Sequence, residues 1–319
     1  MRHALATLAL GTATALVGGL LLSCAPPNGL ADGHAAARTG ERRSAPAGLN
    51  ASERALLDRA EQLLVKRCMG GRGLPYWIVP RLSEEESRSV GYVLDDVAWA
   101  GEHGYGSRLR HKELAAKRSD PNLVHRDQLT GQRLVVYTDA LYGGPDTPTL
   151  SARVPGGGTI TSQLGGCHGT ALEELYGDRA AWFRVGKIAA NLTPLYGAEL
   201  RRDPRLTSAV TAWSRCMRRA GHPYPDPPAA HDAAAKATAQ DGDTAVDAAA
   251  ERRRFAIEVE LAVTEATCAA ETGLGRAGRA LETEYRDGLD GEYLDALAEH
   301  DRIERRALAR ARDIAGART

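Results

Sequence analysis

The side chains best equipped for chemistry are sulfur and imidazole groups: Cys68-Met69, Cys167-His168, and Cys216-Met217 with His222. Soft ligands of this kind suit copper(I). Once Cys24 is set aside, these three cysteines and Cys268 form an even set of four, as a disulfide framework requires. The two readings compete, because oxidation removes the thiolates a metal would take. The ligands lack metal-motif spacing, and Met217 falls on an apolar stripe. The expectation is therefore disulfides, with no metal and no cofactor. Four thiols have three connectivities, a cross-link between the halves among them. Tying each Cys-Met segment to the next cysteine favours Cys68–Cys167 and Cys216–Cys268.

Carboxylates offer a second chemistry. Asp95-Asp96 and Glu84-Glu85-Glu86 have the residue types of an acid–base pair for glycan cleavage. Neighbours on a helix diverge by about 100°, so only one of Asp95 and Asp96 faces a given cleft. A run of glutamates in a first turn is accounted for by the helix dipole. Hydrolysis of a cell-wall polymer by paired carboxylates therefore stands as the alternative to a binding role. The sequence has no Gly-x-Ser-x-Gly, no His-Glu-x-x-His and no glycine-rich loop ending in Lys-Ser/Thr. Gly156-Gly157-Gly158 reads as a turn. Four aromatics, Tyr76, Trp77, Tyr92 and Trp99, line a glycan or peptide groove if the turn after Cys68 folds back on the next helix; otherwise they are core.

The element that positions the sulfur groups occurs twice. Residues 68–76 and 216–224 both read Cys-Met-x-x-x-Gly-x-Pro-Tyr. In each, a helix carries a cysteine inward, glycine permits the left-handed turn that ends it, and proline forbids its return.

The rest of the chain is read around these two ends. A helix from Ser52 leads to Cys68, and the Ser83…Glu86 capping box opens another helix to about residue 100. Residues 104–126 are polar and basic, and read as a surface excursion. A β-hairpin is expected at about 149–163, around the triple glycine. From residue 172 the pattern is helical. It includes one long helix kinked at Pro194, and a helix capped by Asp203-Pro204 that carries Leu206, Val210, Trp213 and Met217. Two long helices, 246–272 and 276–312, are expected to pair antiparallel. The fold class is mainly α: an irregular helical bundle with one small hairpin and a C-terminal αα-hairpin, held by disulfides.

Charge and the N-terminus set the compartment. Lys+Arg and Asp+Glu number 41 each, so no net field favours nucleic acid. Arg2, the uncharged apolar run 4–22 and Leu21-Leu22-Ser23-Cys24 resemble the signal and lipobox of bacterial lipoproteins. The alternatives are a plain cleaved signal peptide or a retained anchor, since the run is long enough to span. All three place the remaining chain outside the cytoplasm. The resemblance implies a diacylglyceryl group on Cys24 as the membrane attachment. The resulting organisation is a signal peptide (1–24), a tether (25–50) and a helical domain (51–319), with 51–202 and 203–319 as candidate sub-units.

Further segments resemble a family of uncharacterised exported lipoproteins from actinobacteria. They are Gly91-Tyr92, Asp95-Asp96-Val97-Ala98-Trp99, Gly104-Tyr105-Gly106, Gly166-Cys167, Leu175-Tyr176-Gly177-Asp178 and Ala212-Trp213-Ser214-Arg215-Cys216-Met217. The resemblance implies envelope placement and paired cysteines, and carries no activity. The functional expectation is a non-catalytic envelope lipoprotein that binds or scaffolds an envelope protein or a cell-wall ligand.

Overall fold

The computed structural model describes residues 48–83, 85–238 and 247–316. The signal segment, Cys24 and residues 25–47 of the tether lie outside the described residues. Among the described residues, no helix is long and apolar enough to cross a membrane.

Helix α1 (Ala51–Gly71) opens at Asn50 rather than at Ser52. The Asn50 side-chain oxygen accepts from the Glu53 amide at 3.0 Å, and the Glu53 carboxylate accepts from the Asn50 amide at 2.9 Å. This reciprocal cap satisfies two otherwise orphaned N–H groups, an arrangement Ser52 cannot match without a partner at its own third position. Beyond α1 the chain runs back along it in extended form, with Val79 reaching Gln62 and Arg81 reaching Asp58. Side-chain amides take the place of a neighbouring strand. Gln62 bonds both backbone groups of Val79 (2.7 and 3.1 Å), and Asn122 bonds both of Trp77 (2.9 and 2.8 Å).

The capping box at Ser83 forms, but it starts only one turn. Gly91 then takes φ +68°, and the Leu94 amide is donated to the Glu265 carboxylate, so the chain stays extended. The helix begins instead at α2 (Val97–His103), where Asp96 accepts from the Trp99 amide at 3.0 Å. The basic stretch expected to be an excursion forms two helices, α3 (Ser107–Arg118) and α4 (Pro121–Gln128). Neither has a buried residue, which is why no apolar period marks them.

Helix α5 (Gly131–Tyr142) leads into the expected hairpin, β1 (Thr149–Arg153) and β2 (Thr159–Gln163), antiparallel with Ser151 opposite Thr161. Helix α6 (Gly166–Tyr176) carries Cys167. The helix expected to kink at Pro194 is divided into α7 (Arg179–Ala189) and α8 (Thr193–Arg202), with the proline in the first turn of α8, where its missing N–H costs nothing. Asp203 caps α9 (Pro204–Arg219), accepting from the Arg205 amide at 2.8 Å.

Helices α10 (Pro227–Thr238) and α11 (Ala248–Thr272) follow. The long C-terminal helix is also divided, into α12 (Leu274–Asp287) and α13 (Gly291–Gly316), at the glycines that bound the break. The C-terminal αα-hairpin is thus shorter than expected: α12 meets α11 across Gly273 and packs chiefly on α8 and α9, while α13 returns to α1, α6 and α7.

Two larger cores result. The first joins α1, α5 and α6 with the end of α13, around Met69, Tyr137, Cys167 and Leu175. The second joins α2, α9, α10 and α11, around Trp99, Trp213, Met217 and Cys268. A smaller cluster around Leu192, Tyr196 and Leu297 lies between α8 and α13.

Candidate functional site

The disulfides pair Cys68 with Cys167 and Cys216 with Cys268, each Cα–Cα span being 5.5 or 5.6 Å. Met69 and Met217, both fully buried, sit in different cores. The thiols are consumed and the thioethers are core, so the copper(I) set is not assembled.

The two repeats build one structure. Leu74 N–H donates to the Met69 carbonyl at 3.0 Å, and His222 N–H to the Met217 carbonyl at 2.9 Å. Inside each, Gly73 N–H reaches Gly70 and Gly221 N–H reaches Arg218 (2.9 and 3.2 Å). Both glycines are left-handed, at φ +71° and +90°. This is the Schellman termination, formed twice in the same register.

The predicted carboxylate pairs hold structure. Asp96 caps α2 and binds Arg88 at 2.8 Å, and the Arg88 guanidinium holds its carboxyl below the usual range. Asp95 turns away to Arg279 at 2.7 Å. Glu86 is held by Lys112 and by Ser83, which also lower its carboxyl. Glu84 lies outside the described residues.

The four predicted aromatics do not share a groove. Tyr76 packs against the first core, where burial raises its phenol, and Trp77 lies 5.5 Å from the His125 ring. Trp99 is buried in the second core beneath Arg88. Tyr92, seven residues before it, is 40% exposed, its phenol raised by burial and then by Asp226. The turn after Cys68 follows α1 instead of reaching α2, and this separates the pairs.

What the second core assembles was not singled out from the sequence. Two glutamates of α11, Glu258 and Glu265, are 2% and 0% exposed. Seven residues apart, they share one helix face. Glu258 accepts from the amides of Tyr105 (2.8 Å) and Ser107 (3.1 Å) and from the Ser107 hydroxyl. Gly106, at the N-cap of α3, has no side chain, so Glu258 caps α3 from another helix. Gly104 makes room for this: a Cβ there would meet the Glu258 side chain at 2.9 Å. Glu265 accepts from the Leu94 amide (3.0 Å), the Tyr105 hydroxyl (2.6 Å) and His231 Nε2 (2.9 Å). An ionised carboxylate can only accept, and in that contact the imidazole proton sits on Nε2.

His231 is placed by α10, whose first turn is capped by Asp226 (Ala229 N–H, 2.9 Å), and its ring meets Tyr105 edge-on at 5.1 Å. Burial and the neighbouring Glu265 push the Tyr105 phenol well above its usual value. These groups close one end of a cleft of about 710 Å³ between the 86–91 segment, α3 and α10. Arg110, on its wall, donates to the Tyr105 carbonyl at 2.8 Å. The chemistry on offer is hydrogen-bond recognition by a fixed imidazole beside a buried carboxylate. The sequence did hold a signal: Glu258 and Glu265 interrupt the stripe of Leu261, Ala262 and Cys268, where an apolar residue is expected.

Compared with protein-family models, with curated proteins and with solved structures, the chain matches none.

Proposed function

We propose that this protein is a non-catalytic binding module of the cell envelope. In this reading a diacylglyceryl group on Cys24 tethers it to the outer face of the membrane, and the cleft beside His231 takes an envelope partner or a cell-wall ligand. The observation that carries the reading is the engagement of the cleft's ionisable groups. Glu258, Tyr105, Arg110 and Glu86 each hold a wall in place through a hydrogen bond, and the fully buried Glu265, which does not line the cleft, fixes Tyr105 and His231, as a preorganised recognition surface requires. The two disulfides suit an oxidising compartment. A photo-crosslinking residue at Val90, on the cleft, tests this in intact cells against the same residue at Ser151, in the hairpin. Adducts from Val90 alone are expected; none, or equal yields from both, contradict the reading.

One observation favours a hydrolytic reading. His231 is oriented by Glu265 as a general base would be, through its Nε2. Loss of cell-wall polymer turnover in His231→Gln, with ligand capture retained, would favour it.

A further inference from the structure

A second group of side chains lies apart from the His231 cleft. His103, the last residue of α2, points its Nε2 toward the carboxylates of Glu85 (3.6 Å) and Glu102 (3.8 Å). The imidazole is largely buried, with 14% of its side chain exposed, and Nε2 is buried and makes no hydrogen bond. The Trp99 ring packs against it at 5.1 Å, and the Asp96 cap fixes the helix that carries both residues. Neither glutamate is constrained in this way: their side chains are 65% and 73% exposed.

The distances discriminate between two explanations. A protonated imidazole bound to a carboxylate closes to about 2.7–2.9 Å, because the charge-assisted hydrogen bond is short. Separations of 3.6 and 3.8 Å are too long for that bond. Ligands around one tetrahedral ion, each about 2.0–2.2 Å from the metal, stand about 3.4 Å apart. The two imidazole–carboxylate separations exceed this by only a few tenths of an ångström, and rotation of the two exposed carboxylates brings them toward one ion. All three ligand atoms lie within 4.8 Å of one another, and among the described residues they form the one such cluster.

We infer that Glu85, Glu102 and His103 bind a divalent transition-metal ion of the zinc class, with the fourth position left to water. One imidazole and two carboxylates form a borderline-to-hard donor set, which suits zinc and not copper(I). Arg88, which lies over Trp99, does not oppose the ion, since its charge is matched by Asp96 at 2.8 Å. None of the three residues lines the His231 cleft, and none is a cysteine.

The test is calorimetric titration of the full-length, metal-stripped protein in detergent with zinc chloride, alongside Glu85→Gln/Glu102→Gln and His103→Gln. Both glutamates are surface side chains, so the double variant keeps the fold even if His103→Gln loosens the packing on Trp99. One zinc per chain is expected in the wild type. Affinity should fall by at least about tenfold in the double variant, with an unchanged melting temperature. Binding of equal strength in the double variant would reveal adventitious zinc and overturn the assignment, as would absence of binding at millimolar zinc.

Discussion

Met69 and Met217 occupy equivalent places in two copies of one local structure, yet the cores around them differ in kind. Each methionine carbonyl accepts the closing hydrogen bond of a Schellman turn, and each neighbouring cysteine is bridged to a later helix. Around Met69 the buried side chains are apolar, apart from the Tyr137 hydroxyl. Around Met217 the chain buries two carboxylates, which tie three otherwise separate segments to α11 and leave a cleft beside them. The repeated motif therefore specifies how a helix ends and where its bridge starts. It does not specify what is built next. The two buried, hydrogen-bonded carboxylates carry the divergence, and they gather where a binding site is proposed.

Removing each bridge should affect the two halves almost alike. In the chain-entropy description the 99-residue separation is worth about 4.7 kcal/mol, and the 52-residue one about 4.1 kcal/mol. Urea unfolding of Cys68→Ala/Cys167→Ala and Cys216→Ala/Cys268→Ala measures both; a several-fold asymmetry would break the equivalence of the copies. Glu265→Ala should cost about 3–5 kcal/mol, because it orphans the Leu94 amide, the Tyr105 hydroxyl and His231 together. A loss under about 1 kcal/mol would mean that the buried network does not distinguish the second core.

Gly73→Ala and Gly221→Ala sharpen the comparison further. An added Cβ meets nothing within 4 Å at either site, so each substitution reports only the left-handed backbone, at about 1–2 kcal/mol. The two values should agree to within a few tenths, by the same urea measurement.

The smallest expected effect is a pH dependence at the entrance to α9. Hydrogen bonding to Arg205 holds the Asp203 carboxyl at about 2, against an ordinary 3.8. A carboxyl whose pKa falls on folding adds stability above its ordinary value and loses it as the pH drops through the folded one. Asp203→Asn should therefore melt a few degrees lower at pH 7, the gap closing between about pH 4 and pH 2. A gap that persists at the low end would assign the cap's contribution to geometry rather than charge.

Much of this was legible in the sequence. The repeat, the hairpin around three glycines and the Asp203 cap follow from local rules acting on few residues, and the bridges are the favoured one of three connectivities. Two of the helix boundaries that failed did so where a distant group intervened. Ser83 has a sound capping box, but Glu265, far along the chain, draws the Leu94 amide out of any helix. The 107–118 segment has no apolar face of its own, and part of its cap comes from Glu258. The cleft proposed for binding was hidden for the same reason: its polar floor comes from α11 and α10, and its wall from residues over a hundred positions earlier. Periodicity records which residues are buried; it does not say which buried carboxylate has found partners.

The most direct test of an exported protein with two separately bridged cores is mass mapping of unreduced peptides from the protein purified out of the cell envelope. Cys68 should be joined to Cys167 and Cys216 to Cys268, with the Cys24 peptide carrying the mass of a diacylglyceryl group. Free thiols, or a bridge from Cys68 or Cys167 to Cys216 or Cys268, would contradict it.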